Sequence, residues 1–250
     1  MDDQYEAIGA KYKAVKLKPS VAFTEVAAVV EMLGDLSGLS VLDLACGAGF
    51  YSRLIRNRGA SHVIGADLSH TMIDVARAEE AAQPLGVAYH VADAAAMTPL
   101  GVFDIVTAVW LLHYARTLEE LRSMCRNIGQ NLAPCGRLIA IVPNPDFVND
   151  LKETEVYDYH TQVLNPGAPF ARVRMDFIVE EPFSIEYMQW PYTAYEDALR
   201  LAGFETIKFV PIGVSQQGIE IMGAEYWTIY RRNPVGMGLV ATFIGSAQPI

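Results

Sequence analysis

Val41-Leu42-Asp43-Leu44-Ala45-Cys46-Gly47-Ala48-Gly49-Phe50 decides how this chain is read. An apolar run stops at a Gly-X-Gly turn, and Phe50 to Arg58 then carries a helical pattern. Glycine permits the tight reversal and lets a ligand lie against main chain with no Cβ in the way. Strand, glycine turn and helix make the first βα unit of a doubly wound sheet, in which ligands sit beyond the carboxyl ends of the strands. The predicted class is α/β.

The residues around the turn separate the nucleotide-binding possibilities. A dinucleotide fingerprint asks for Gly or Ala three positions after the second glycine, and Ser52 stands there. No Gly-X-X-X-X-Gly-Lys-Ser/Thr occurs, so the lysine and hydroxyl of a triphosphate loop are missing. Asp43 precedes Gly47 by four residues, and Asp67 closes a second apolar run, His62 to Ala66. A carboxylate at that place accepts both hydroxyls of a ribose.

Leu42 to Gly49 resembles the first motif of the class I S-adenosylmethionine-dependent methyltransferases; Asp67 with Ser69 and Met72 resembles the second, and Asp93 after Val87 to Ala92 the third. The resemblance implies a seven-stranded, mostly parallel Rossmann-like sheet, S-adenosyl-L-methionine as cofactor with S-adenosyl-L-homocysteine as product, and no metal. It also implies cofactor contacts from Tyr12, Asp43, Ala45, Cys46, Gly47, Gly49, Asp67, Leu68, Met72, Asp93, Ala94 and Trp110. Met72 reads equally as an adenine contact or as core packing. Cys46 reads as a small polarizable filler rather than a nucleophile.

Composition agrees with an enzyme of small molecules. Hydrophobic residues make up 52% and charged residues 19% of 250, enough for one packed core. The net charge of -10 disfavours a nucleic-acid partner, whose affinity rests on Lys and Arg. Cys46, Cys125 and Cys135 have neither disulfide nor zinc spacing, which fits a reducing, cytoplasmic setting. No secretory signal or membrane-length apolar run is visible, and Val235 to Ile244 is short and broken by glycine. A monomer or homodimer is expected.

In chain order, helices are predicted at Thr24 to Leu33, Thr71 to Ala82, Leu118 to Leu132 (with Thr117 and Glu120 as a capping box), Asp146 to Thr161 and Tyr192 to Leu201. Strands are predicted at Ser40 to Ala45, His62 to Ala66, Val87 to Ala92, Phe103 to Val109 and Arg137 to Val142, a hairpin at Phe170 to Val179 and Phe183 to Trp190, then Glu205 to Pro211 and an antiparallel seventh at Ala224 to Tyr230. Residues 1–38 would form an N-terminal helical lid, 39–143 the cofactor core, 144–191 an inserted substrate cap, and 192–250 the completion of the sheet and a tail.

The end of strand four, Trp110-Leu111-Leu112-His113-Tyr114, offers an indole, an imidazole and a phenol where ligands bind. Histidine is the side chain whose ordinary range suits base catalysis near neutral pH, so His113 is a candidate base, or a hydrogen-bonding residue only. His113, Tyr114 and Tyr5 are the catalytic candidates; Tyr5, His113, Tyr114, Asn144, Tyr187, Trp190, Tyr226 and Trp227 are the substrate-binding ones. Tyr5 to Tyr12, Ala45 to Tyr51, Trp110 to Ala115 and Ala224 to Trp227 are together similar to toxoflavin-pathway N-methyltransferases, the cap from Phe147 to Pro191 lying outside that similarity. The function this implies is N-methylation of an azapteridine-like heteroaromatic of secondary metabolism. The alternatives are O- or C-methylation of another metabolite, a catalytically silent cofactor-binding subunit, and a nicotinamide oxidoreductase.

Overall fold

The computed structural model describes residues 18–245. Tyr5 and Tyr12 lie outside the described residues, as do the first 17 residues of the expected lid. The chain enters on α1, a helix made of a short turn Pro19–Val21, a π-helical turn Ala22–Val26 and a regular segment Ala27–Leu33, ended by Gly34 at φ 68°. Then follow β1 (Ser40–Leu44), α2 (Phe50–Asn57), β2 (His62–Asp67), α3 (His70–Ala82), β3 (Ala88–Val91), β4 (Phe103–Val109), a 3-10 turn (Leu112–Tyr114), α4 (Leu118–Gln130) and β5 (Leu132–Pro143).

The first five strands pair in parallel in the order β3-β2-β1-β4-β5, and Gly236–Phe243 and then Phe204–Pro211 extend the sheet beyond β5 to seven strands. Strand periodicity sends alternate residues to opposite faces, and both are covered. Val41, Val63, Ile105 and Ile139 pack beneath α1, α2 and α3 with Val29, Ile55 and Ile73. Leu42, Ile64, Val106 and Leu138 face the other way, onto Leu121, Met124 and Ile128 of α4 and Leu199 of α5 (Tyr192–Leu201). The helix starts carry their caps: Ser69 Oγ accepts the Met72 amide at 3.3 Å, and Thr117 Oγ1 accepts the Glu120 amide at 3.1 Å. Glu120 returns its carboxylate to the amide of Arg116 rather than to that of Thr117, so half of the expected capping box is shifted by one residue.

Two elements differ from expectation. Asp146 to Thr161 is not a helix but a 3-10 segment, Lys152–Tyr157, and then β6 (Tyr159–Val163). Asp158 turns the chain between them at φ 64°. β6 joins β7 (Ala171–Phe177) and β8 (Phe183–Gln189), so the cap is a three-stranded antiparallel sheet and not a lone hairpin.

The seventh strand is not Ala224 to Tyr230. After β9 (Phe204–Pro211) come α6 (Gln216–Met222) and α7 (Thr228–Arg232), and the strand is β10, Gly236–Phe243, antiparallel to β5 on one side and to β9 on the other. Trp227 is fully buried and donates Nε1–H to the Gly218 carbonyl at 2.8 Å, which fixes that segment as a helical corner. The glycines that made 235–244 look broken are required by close packing. A Cβ on Gly238 would meet Met32 Sδ at 2.7 Å, and one on Gly236 would meet the Trp110 ring at 3.0 Å. Among the described residues no helix is long and apolar enough to cross a membrane.

Candidate active site

The carboxyl ends of β1, β2 and β4 converge on the glycine turn. Ala45 leaves β1 in left-handed backbone, φ 57°, followed by Gly47 at φ 53° and Gly49 at φ 86°. A left-handed alanine costs about 1–2 kcal/mol, a strain found where a site over-determines the backbone. The Cys46 amide donates to the Ala66 carbonyl at 3.1 Å, anchoring the turn to β2. Asp67 closes it: Oδ2 accepts the Gly47 amide at 2.8 Å and Oδ1 the Ser69 amide at 2.9 Å.

Gly47 has no heavy atom within 4 Å of where a Cβ would stand, so its outer face is open space. Open main chain beside a carboxylate at the end of the next strand is a donor and acceptor set that fits a nucleoside with its ribose diol and amino-acid arm. The residues present therefore fit the cofactor that the sequence implies. Beyond β3, Asp93 Oδ1 accepts the Ala95 amide at 2.8 Å, and the Ala94 carbonyl accepts Asn127 Nδ2–H at 2.9 Å, which sets the loop at the third strand end. Leu68 is half-buried, and Met72 is buried in the first turn of α3.

Asp43 has a different place from the one expected. It is 1% exposed beneath the turn, and its oxygens accept Ser52 Oγ–H at 2.6 Å and Thr107 Oγ1–H at 2.7 Å. Burial pushes its carboxyl up to about 6, against those two hydrogen bonds and with the negative charge of Asp67 adding to the rise. Asp43 thus holds the turn from below instead of facing a ligand. Cys46 is buried, and burial raises its thiol well above the usual range, which leaves it protonated and a filler.

β4 ends at Trp110, again left-handed at φ 59°. Its ring and the His113 ring stand edge to face at 5.7 Å; His113 also meets Tyr114 at 4.1 Å and Tyr187 at 5.4 Å. These rings line a chamber of about 970 Å³, its open mouth included, roofed by α1 and walled by the cap sheet through Tyr157, Tyr159, Met175, Phe177, Ile185 and Tyr187, with Tyr230 of α7. Burial raises the phenols of Tyr159, Tyr187 and Tyr230, so they stay protonated at neutral pH. At the rim Lys18 and Asp158 form an ion pair between α1 and the cap.

Of the sequence-derived candidates, Trp110, His113, Tyr114 and Tyr187 meet in this chamber. Three others have structural places. Asn144 Nδ2 donates to the Pro234 carbonyl at 2.9 Å and Oδ1 accepts the Asp146 amide at 3.0 Å, so its amide is used in a turn. Trp190 is 1% exposed in the opposite core layer, against Phe170. Trp227 is spent on Gly218, and Tyr226 stands behind the chamber wall, its ring edge-on to Tyr157 at 5.3 Å and its carbonyl accepting the Tyr157 hydroxyl at 2.6 Å. Among the described residues no three His, Cys, Asp or Glu side chains gather as metal ligands.

Sequence reading missed Glu25. It is 7% exposed in the π-helical turn, lines the chamber, and accepts Tyr51 Oη–H at 2.5 Å and Trp110 Nε1–H at 2.6 Å. Tyr51 stands two residues after the glycine turn, so one carboxylate joins the helix that follows this turn to the aromatic chamber. A signal existed: Val21, Glu25, Val29 and Leu33 recur every fourth residue, which puts an acid on the helix's core-facing stripe.

A family model described as a methyltransferase domain matches residues 41–136. Demethylmenaquinone methyltransferase of Lactococcus lactis subsp. lactis is 35% identical over 198 residues, 73% of this chain and 72% of the relative. N-demethylindolmycin N-methyltransferase of Streptomyces griseus is 29% identical over 175 residues, 68% of this chain and 72% of the relative. Other curated relatives are matched over about half of their length, 47% and 49%. An S-adenosylmethionine dependent methyltransferase from Mesorhizobium loti superposes with a TM-score of 0.65 at 21% identity, covering 91% of this chain and 99% of that one, a likeness of fold.

Proposed function

The chain belongs to the class I S-adenosylmethionine-dependent methyltransferases, and from that premise we propose that it methylates a ring nitrogen of a small, flat heteroaromatic metabolite, an azapteridine-like ring being the nearest description. The observation that carries the reading is the chamber: aromatic rings make up much of its wall, and Glu25 on that wall is hydrogen-bonded to Tyr51, two residues after the glycine turn. Aromatic walls bury a flat apolar ring while a few polar groups fix its orientation. The Streptomyces griseus relative, itself named as an N-methyltransferase, supports transfer to nitrogen.

S-adenosylmethionine, when bound, supplies a methyl group on a sulfonium that is already a good leaving group. The chain's own work is then alignment and exclusion of water. Asp67 and the Gly47 main chain would hold the ribose and amino-acid arm, and Asp93 with Ala94 the adenine edge. Met72 would pack beneath the base. Trp110, Tyr114 and Tyr187 would hold the acceptor ring flat, with His113 in position to accept a hydrogen from it. The raised phenols of Tyr159 and Tyr187 favour them as donors rather than bases.

A second reading follows from the more identical relative, named as a demethylmenaquinone methyltransferase: methyl transfer to a quinone-like ring. The test is calorimetry with S-adenosylhomocysteine, then incubation of the protein with labelled S-adenosylmethionine and a panel of azapteridines, indoles and quinols, the methylated atom being assigned by NMR. Label on a ring nitrogen supports the proposal. Label on carbon or oxygen selects the second reading, and cofactor binding with no labelled product from any flat ring overturns both.

A further inference from the structure

The chamber is a channel with two unlike ends, and strand register measures its length. Tyr187, Ile185 and Phe183 stand in successive rows on one face of the cap sheet, opposite Val173, Met175 and Phe177 of β7. Tyr187 meets the His113 ring at 5.4 Å, so its row is the inner end. Phe177 stands in the outer row. The amide next to it, that of Ile178, donates to the Asp158 carbonyl at 2.8 Å, and Asp158 pairs with Lys18 at the rim. Four residues separate the inner row from the outer one, about 13 Å of strand. The roof agrees: Lys18 at the rim and Glu25, which accepts the Trp110 indole N–H at the inner end, are seven residues apart, about 10 Å of helix.

Between these ends the lining is mainly apolar. Val21 of α1 and Met175, Phe177 and Ile185 of the cap face one another across it. Thr24 Oγ1 donates to the Ser20 carbonyl at 2.6 Å and Tyr157 Oη to the Tyr226 carbonyl at 2.6 Å, so both donors are engaged within the protein. Rows stand about 7 Å apart, so a flat ring held against Trp110, His113 and Tyr187 reaches the second row at most. The outer stretch is left as apolar wall with nothing apolar to cover it, a surface that calls for a ligand.

Resting on the function proposed above, we infer that the substrate is not a bare ring but a ring bearing an apolar arm, an alkyl or prenyl chain, which runs between Val21 and the Met175–Ile185 pair toward Phe177 and the Lys18–Asp158 rim. Burial of the arm seats the ring at the inner end. Binding of a part remote from the reacting atom then serves to align that atom with the methyl donor.

The experiment titrates the full-length protein, saturated with S-adenosylhomocysteine, with lumazines carrying methyl, butyl or octyl at C6 or C7, read by calorimetry. In one of the two series affinity is expected to rise about two- to fourfold per methylene from methyl to butyl, the scale of a buried CH₂, and to level off toward octyl, whose end passes the rim. Val21→Thr and Met175→Gln, on opposite walls, should each cut the butyl-to-methyl affinity ratio by about threefold or more, since each puts a polar group against the arm. The ratio is taken within one protein, so a loss common to both probes cancels. Two flat series in wild type, with the methyl probes bound, overturn the arm and leave the flat-ring reading standing. A rising series whose slope neither variant alters places the arm elsewhere and overturns the channel. Failure of every probe to bind wild type while S-adenosylhomocysteine binds removes the flat-ring reading and this inference with it.

Discussion

Asp67 Oδ2 accepts the Gly47 amide at 2.8 Å, so the acid that ends the second strand also closes the turn that ends the first. One carboxylate thus shapes the cradle and stands in it. Asp67→Ala should weaken S-adenosylhomocysteine binding tenfold or more, about 1–3 kcal/mol, because a charged acceptor and the turn's anchor go together. Calorimetry on the purified variant reads this directly, and an unchanged Kd would remove Asp67 from the site.

Asp43 predicts a pH dependence. Its carboxyl is pushed up from 3.8 to about 6 by burial, above its value in the unfolded chain. Folding therefore favours the protonated form, and the stability this contributes is present below pH 3.8 and lost as the pH rises through about 6. The full swing is about 3 kcal/mol. Asp43→Asn keeps partners for Ser52 and Thr107 without the charge, so the difference in urea midpoint between the variant and wild type should grow in the variant's favour from pH 4 to pH 7. A difference that stays flat with pH contradicts the burial argument.

Tyr89 gives a prediction of opposite sign to the usual core substitution. Its hydroxyl is buried with no hydrogen-bond partner among the described residues, wedged over two glycines of the turn region. A Cβ on Gly65 would lie 2.7 Å from its ring, and one on Gly49 would lie 2.9 Å from its Cζ. Tyr89→Phe should leave stability unchanged or raise it by about 1 kcal/mol, since an unpaired buried hydroxyl is removed. Gly65→Ala should cost more than 2 kcal/mol through overpacking. Thermal melts of the two variants test the pair.

Trp227→Phe separates scaffold from site. The indole N–H is held by Gly218 and the ring is sealed, so the substitution should cost about 2 kcal/mol from a lost hydrogen bond and a small cavity. Binding of S-adenosylhomocysteine should be untouched. A change in ligand affinity at constant stability would return Trp227 to the site.

What the sequence made legible was local. β1, its glycine turn, α2 and the acids at the ends of the next strands lie within about fifty residues, and each carries its own signature in residue type and spacing. What stayed hidden depends on distant contacts. Glu25 acquires its meaning from Tyr51 and Trp110, 26 and 85 residues away; its place on the core-facing stripe marks it as turned inward but not what it meets there. The aromatic residues of the cap could not be assigned to a face: Tyr187 points into the chamber, but Trp190, just past the same strand's end, packs into the opposite layer. β10 was hidden by Gly236 and Gly238, which weaken a strand pattern where Trp110 and Met32 approach too closely for any side chain.

That last strand sets the order in which the molecule can be completed. Because β10 is wedged between β5 and β9, β9 has no neighbour in the sheet until residues 236–243 arrive. During synthesis the five parallel strands emerge first with β5 as a raw edge, open to pairing with other chains. A nascent chain halted before Gly236 should be prone to aggregate and sensitive to chaperone supply, so the residues that read least like a strand act as the keystone of the whole β-layer.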